Sequence, residues 1–130
     1  MAKPVIVLAD DEMTVLDSLL YQLKSHLGNE YQYETAQSIA ETSELIDEII
    51  GNNQDIVLLI FDWLIPPENS DTLLVETRRK LPNAKIIMLS GYADQTSINR
   101  AFKEAHLDRF IRKPWDEVAI LKEIDILLGK

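Results

Sequence analysis

The chain of 130 residues contains no cysteine, only four glycines and five prolines, and no apolar run long enough to cross a bilayer. Without cysteine there are no disulfides, no thiolate nucleophiles and no cysteine-ligated metals. Lysine and arginine number 13 against 22 aspartates and glutamates, which gives a formal net charge of −9. No broad basic surface is therefore available for nucleic acid or anionic lipid. We expect no direct nucleic-acid binding, no membrane association and a cytoplasmic location.

The composition that remains is that of one globular domain, with 46% hydrophobic and 27% charged residues. A chain of this length can bury roughly two thirds of its unfolded surface in one core. No repeat, low-complexity tract or glycine-rich linker divides the sequence. We predict a single domain over residues 1–130, with its core over about residues 4–128.

Four short segments predict buried strands, because their apolar and often β-branched residues do not alternate with polar ones. These segments are residues 5–9, 56–61, 85–89 and 108–112. Residues 31–35 alternate more and fit a strand at the edge of a sheet. Each strand is followed by a segment with helical spacing of apolar residues. The helices are predicted to begin at Met13 and Ile39, after caps at Asp71 and Asp94, and at Trp115.

Strand and helix alternate five times, which predicts an α/β fold with a doubly wound, five-stranded parallel sheet and helices on both faces. If the edge strand is the second one, the strand order is the flavodoxin-like 2-1-3-4-5. That order opens a crevice between strands 1 and 3 at their carboxyl ends, where ligands of such sheets bind.

Polar groups follow the predicted strands at the ends that share one sheet edge. Asp10 and Asp11 follow the first strand, Asp62 the third, Ser90 the fourth and Lys113 the fifth. Clustered carboxylates repel one another unless their pKa values rise or a cation joins them. Their hard oxygen atoms suit Mg²⁺, which takes few protein ligands and keeps several waters. The sequence therefore predicts a magnesium site at this edge.

Beside a divalent ion, one carboxylate can act as a nucleophile toward a phosphoryl group and form an aspartyl phosphate. Asp62 is the natural candidate, because apolar Phe61 and Trp63 flank it. Lys113 and Ser90 supply an ammonium and a hydroxyl for the other phosphoryl oxygens.

Four motifs in register resemble the receiver domain of two-component response regulators, and the resemblance covers essentially the whole chain. They are VIVLADDE (residues 5–12), IFDWLIP (60–66), IIMLSG (86–91) and FIRKPW (110–115). The resemblance implies the flavodoxin-like (βα)5 fold with the strand order given above. It also implies Mg²⁺ as cofactor.

The resemblance implies a role for each matching position at the acidic end. Asp62 would be the phosphoacceptor and a metal ligand, Asp11 a direct Mg²⁺ ligand and Asp10 a ligand through water. The backbone carbonyl of Leu64 would be a further protein ligand.

The remaining matches imply residues that respond to phosphorylation. Ser90 would be the hydroxyl that moves to the phosphoryl group, and Lys113 would contact the same group, next to a cis Lys113–Pro114 bond. Phe110 would be the switch aromatic that rotates inward once Ser90 has moved.

The function implied is a phosphorylation-dependent signalling switch. It would take a phosphoryl group from a histidine kinase or phosphotransfer protein, and it would catalyse its own phosphorylation and hydrolysis without being an enzyme in the usual sense. The surface of the fourth helix, fifth strand and fifth helix would change for a partner protein, a linked output domain or a second copy. No output domain is predicted within this chain, which is either a stand-alone regulator or a receiver from a longer protein.

Two departures from the family pattern keep alternatives open. The loop at residues 66–71 (PPENSD) lacks the usual glycine, and Leu64 and Tyr92 place bulk where water would approach Asp62, so we expect slow dephosphorylation. A receiver-like interaction module that is never phosphorylated remains the alternative. A phosphatase of the haloacid dehalogenase type would need a second aspartate at position 64, and a flavodoxin would need a phosphate-binding loop where this chain has acids.

Overall fold

A computed structural model describes residues 2–65, 68–91 and 93–130, apart from the side chains at positions 68 and 69. Five parallel strands form one sheet in the order β2-β1-β3-β4-β5, which confirms the predicted flavodoxin-like order. The strands are β1 (Val5–Ala9), β2 (Gln32–Ala36), β3 (Ile56–Asp62), β4 (Lys85–Ser90) and β5 (Arg109–Arg112). The helices are α1 (Met13–Leu27), α2 (Ile39–Gly51), α3 (Asp71–Lys80), α4 (Gln95–Glu104) and α5 (Glu117–Leu127).

The three central strands are buried on both faces, which explains why their sequences are continuously apolar. The prediction that residues 108–112 also form a buried strand was wrong, because β5 lies at the sheet edge and is half-buried or exposed. Alternate side chains enter two separate core layers, because successive residues of a strand point to opposite faces. Val7, Leu59 and Met88 pack with residues of α2, α3 and α4. Leu8 and Ile60 pack with residues of α1 and α5. Helices therefore cover both faces of the sheet, as predicted.

The ends of several elements differ from the sequence prediction. β3 and β4 each extend one residue further, so that Asp62 and Ser90 are the last residues of their strands. The predicted start of the last helix at Trp115 was wrong, because Asp116 caps it by accepting a hydrogen bond from the Ala119 amide. Asp94 caps α4 as expected.

The predicted cap at Asp71 was also wrong. Ser70 is the residue that precedes α3, and Asp71 is the first residue of the helix. Before α3, Leu64–Ile65 and Glu68–Asn69 pair as a short antiparallel ladder. Within the described ranges, no helix is both long and apolar enough to span a membrane.

Arg78 joins the ends of α3 and α4 opposite the carboxyl edge of the sheet. Its guanidinium donates hydrogen bonds to five backbone carbonyls and forms an ion pair with Asp108 at 3.1 Å. Asp108 in turn accepts a hydrogen bond from the amide of Ile86 at the start of β4. One planar group thus satisfies carbonyls that follow two helices, which a lysine could not do. The carbonyls belong to Leu81, Pro82, Ala84, Ala105 and His106.

We expect Arg78→Ala to lower the free energy of unfolding by about 2 to 4 kcal/mol, because it leaves Asp108 and several carbonyls without their donor. Urea denaturation followed by circular dichroism measures the loss. The matched control is Arg79→Ala, since Arg79 is the exposed neighbour on the same helix, and it should change stability by no more than about 0.5 kcal/mol. Equal losses in the two variants would contradict a special role for Arg78.

Candidate functional site

Three carboxylates meet at the carboxyl edge of the sheet. Oxygen atoms of Asp10, Asp11 and Asp62 all lie within 4.8 Å of one another. Asp10 and Asp62 are only 1% and 6% exposed, whereas Asp11 is exposed. The sequence prediction that these acids converge is therefore matched by the geometry.

The parallel register of β1 and β3 brings these acids together. Ala9 pairs with Phe61, so Asp10 and Asp62 follow at the same level on neighbouring strands. Backbone amides then fix the two carboxylates: the Glu12 amide donates to Asp10 Oδ1 at 2.9 Å, and the Leu64 amide donates to Asp62 Oδ1 at 3.3 Å. Each acid is held by the turn that follows its own strand.

Lys113 supplies the positive charge of the site. Its ammonium lies 2.6 Å from Asp10 Oδ2 and 3.2 Å from Asp62 Oδ2, with Glu12 Oε1 at 3.9 Å. The Lys113 amide donates to the carbonyl of Ser90 at 3.2 Å, which ties the residue after β5 to the end of β4. The Lys113–Pro114 bond is cis, as expected.

The charges are not balanced, since three carboxylates face one ammonium. Burial, followed by the neighbouring charge of Asp10, raises the pKa of Asp62 from its usual 3.8 to about 6, although Lys113 and the Leu64 amide oppose this rise. Burial by itself would lower the pKa of Lys113, but its bond to Asp10 and the charges of Asp62 and Asp10 raise it overall. The site therefore holds excess negative charge and favours a further cation.

The donor set fits a divalent hard cation. A cavity of about 670 Å³ is lined by Asp11, Asp62, Leu64 and Lys113 among other residues, and it is open to solvent. Carboxylate and carbonyl oxygens are the ligands that Mg²⁺ prefers, and the space leaves room for the waters that it keeps. The acidic pocket of this chain thus has the chemistry of a magnesium site.

Ser90 follows Leu89, the partner of Asp62 in the sheet, and neither Ser90 nor Phe110 is among the residues that line the cavity. Ser90 is fully buried, and its Oγ accepts a hydrogen bond from the Ala93 amide at 3.2 Å. Phe110 is half-buried and packs against the core layer on the side of α2, α3 and α4. The guanidinium of Arg112 lies 5.2 Å from the centre of its ring, within the range of a cation–π interaction. The two predicted switch residues are thus on neighbouring strands.

The structure adds residues that the sequence did not indicate. Trp115 and Val15 line the apolar side of the cavity, and the Trp115 indole donates to Gln22 of α1 at 2.9 Å. Ser70 is fully buried, and its hydroxyl donates to the carbonyl of Asp62 at 2.7 Å. A serine in a polar loop carries no signal of this kind.

Tyr92 and the two prolines at 66 and 67 lie outside the described residues.

In metal-free protein, Asp62→Asn should raise the free energy of unfolding by about 1 to 2 kcal/mol at pH about 7.5. The folded-state pKa of Asp62 is raised, so the folded chain binds the proton more tightly, and ionisation between pH about 4 and about 7 destabilises it. The difference should shrink toward zero near pH about 4, where both side chains are neutral. Urea titrations across this range measure it, with Asp55→Asn at the opposite end of β3 as the control. A difference in unfolding free energy between Asp62→Asn and wild type that does not vary with pH would contradict this electrostatic origin.

Comparison with known proteins agrees with the geometry. A sequence model of the response regulator receiver domain matches residues 6–125. The sensor kinase CckA of Brucella abortus is 29% identical over 125 residues, which are 96% of this chain and 12% of that protein. The hydrogenase transcriptional regulatory protein HoxA of Cupriavidus necator is 27% identical over 110 residues, or 85% of this chain and 21% of that protein. The chain thus spans a small part of these curated relatives.

A solved structure shares the fold. The response regulator receiver domain protein (CheY-like) of Methanospirillum hungatei superposes with a TM-score of 0.83 and 26% identity, and the match covers 98% of this chain and 95% of that one. The family model spans nearly the whole of this sequence, and the acids, serine and lysine of the family's motifs meet at one edge of its sheet. The chain therefore belongs to the receiver domain family of response regulators, which are phosphorylation-dependent signalling switches.

Proposed function

We propose that Asp62 is the phosphoacceptor of this receiver domain and that the phosphoryl group comes from a phosphohistidine of a kinase or phosphotransfer protein. The observation that carries this proposal is the position of the Asp62 carboxylate. It is buried, it shares the Lys113 ammonium with Asp10, and it borders an open cavity that a donor can enter. An exposed aspartate elsewhere on the surface would have none of these neighbours.

The transfer requires only positioning and charge compensation from the chain. An oxygen of Asp62 bonds to phosphorus while the phosphorus–nitrogen bond of the donor breaks, and the imidazole nitrogen keeps the electron pair and takes up a proton. Lys113, 3.2 Å from Asp62 Oδ2, is placed to balance charge on the phosphoryl oxygens. The buried hydroxyl of Ser90 is the second group that binds them.

Mg²⁺ is assigned to the three acids and one carbonyl. Asp11 and Asp62 would bind it directly, Asp10 would bind it through water, and Leu64 would bind it through its backbone oxygen. When bound, the ion offsets the excess negative charge and draws phosphoryl oxygens into the site. Glu12 lines the same cavity and adds a further carboxylate at its mouth.

The phosphorylated state would be read at α4, β5 and α5. Ser90 ends β4, its backbone is bonded to Lys113, and Phe110 lies on the next strand. Movement of the Ser90 hydroxyl toward the phosphoryl group would free space for Phe110 and change this face for a partner, a linked output domain or a second copy. The matched relatives are much longer proteins, which favours a linked domain. The apolar Leu64 at the cavity supports slow loss of the phosphoryl group through hydrolysis.

Acetyl phosphate and Mg²⁺ should convert the chain to a species heavier by one phosphoryl group, as measured by intact-protein mass spectrometry. Asp62→Asn should abolish the shift, because an amide cannot act as the nucleophile. Asp55→Asn should leave it intact, since Asp55 lies at the opposite end of β3. Omission of Mg²⁺ or replacement Lys113→Ala should slow modification by at least about tenfold.

Two results would overturn the proposal. One is a phosphorylated species in Asp62→Asn, which would place the acceptor elsewhere. The other is a wild-type chain that stays unmodified by both acetyl phosphate and phosphoramidate, which would favour an interaction module that is never phosphorylated.

A further inference from the structure

We propose that Ser70 is a positioning residue for the Mg²⁺ site, because its buried hydroxyl and its amide fasten the turn that joins Asp62 to the Leu64 carbonyl. This inference rests on the proposed function, since it takes the Leu64 carbonyl as a metal ligand. The Ser70 hydroxyl donates to the Asp62 carbonyl at 2.7 Å, and the Ser70 amide donates to the Trp63 carbonyl at 2.7 Å. Two consecutive carbonyls of the turn are thus bound by one residue.

The short antiparallel ladder before α3 also holds the backbone at Leu64. Leu64 pairs with Asn69, the residue immediately before Ser70, and Ile65 pairs with Glu68. The backbone of Trp63, Leu64 and Ile65 therefore faces Ser70, Asn69 and Glu68 in turn, and the Ser70 hydroxyl reaches back to Asp62. The turn contains no glycine, and its conformation depends on these bonds.

Trp63 anchors the same turn to its surroundings. Its amide donates to the Leu89 carbonyl of β4 at 3.0 Å, and its indole donates to Asp71 Oδ1 at 3.0 Å. Asp71 also pairs with Arg100 of α4 at 3.3 Å. The turn is fixed on one side to the sheet and on the other to the first residue of α3.

This fastening matters because a metal ligand from the backbone cannot adjust on its own. The Leu64 carbonyl is set by the torsions of Trp63 and Leu64, while the Asp62 carboxylate is set by the end of β3. Mg²⁺ demands nearly octahedral geometry, so both must be preset relative to Asp11. Groups that orient metal ligands typically contribute about 10- to 100-fold to metal affinity. Ser70 is such an orienting group, because it binds the backbone of the ligand residues and is not among the residues that line the cavity.

The test compares Mg²⁺ dissociation constants, measured by isothermal titration calorimetry on the full chain. Ser70→Ala should weaken binding by about tenfold or more, and Ser70→Cys, which is slightly larger and keeps a weak donor, should weaken it less. The control is Thr42→Val, because Thr42 is also fully buried and its hydroxyl also donates to a backbone carbonyl, that of Ser38, far from the site. Thr42→Val should lower the free energy of unfolding about as much as Ser70→Ala does, and it should keep the wild-type Mg²⁺ affinity.

Two further readouts separate positioning from simple loss of stability. In metal-free protein, the Leu64 and Trp63 amides of Ser70→Ala should exchange with solvent faster than in Thr42→Val. At saturating Mg²⁺, the rate of phosphorylation by acetyl phosphate should return to within a few-fold of wild type, about threefold or less.

The outcomes are distinguishable. If wild type binds Mg²⁺ and is phosphorylated while Ser70→Ala and Ser70→Cys bind the ion as tightly, the role of Ser70 is refuted and the proposed function stands. If Ser70→Ala does not fold, Ser70→Cys alone decides. If wild type itself binds no Mg²⁺, both the proposed metal site and the role of Ser70 are refuted.

Discussion

Three carboxylates and one ammonium in a small, partly buried volume set the conditions for everything else in this molecule. Like charges at such distances repel, and they stay together because rigid strands and turn amides hold them. Burial, followed by the charge of Asp10, keeps the pKa of Asp62 above its usual value, and Lys113 compensates only part of this effect. A site with this imbalance favours a divalent cation, and in the proposed function the same lysine would meet the charge of the phosphoryl group.

The groups of the site come from neighbouring strands of the sheet. Asp62 ends β3, Ser90 ends β4 and Lys113 follows β5, so the three adjacent strands each contribute one group to the site. The far side of β5 carries Phe110, which is half-buried under Arg112 and packs on the helical layer that includes α4. Phe110 thus lies on the strand that pairs with the strand ending at Ser90.

Much of this arrangement could be predicted from the sequence, and the reason is physical. Strands buried on both faces must be continuously apolar, so β1, β3 and β4 stand out, and a polar residue marks where each one leaves the core. Parallel order then forces Asp10, Asp62, Ser90 and Lys113 to one edge.

The parts that could not be predicted are bonds between side chains and backbone atoms of distant segments. The Ser70 hydroxyl donates to the Asp62 carbonyl, and the Arg78 guanidinium donates to five other carbonyls. These hydrogen bonds depend on how the loops pack, and neither residue type signals such a role in the sequence. The start of α5 was misjudged for a related reason. Trp115 has the apolar character of a helix residue, but it packs against the cavity and Gln22, and Asp116 forms the cap.

The most direct test of the central claim is to locate the acyl phosphate itself. The chain is phosphorylated with acetyl phosphate and Mg²⁺, reduced with borohydride, which converts an aspartyl phosphate to homoserine, and digested for peptide sequencing by mass spectrometry. Homoserine is expected at position 62, with aspartate retained at positions 10 and 11. Homoserine at any other aspartate, with Asp62 unmodified, would contradict it.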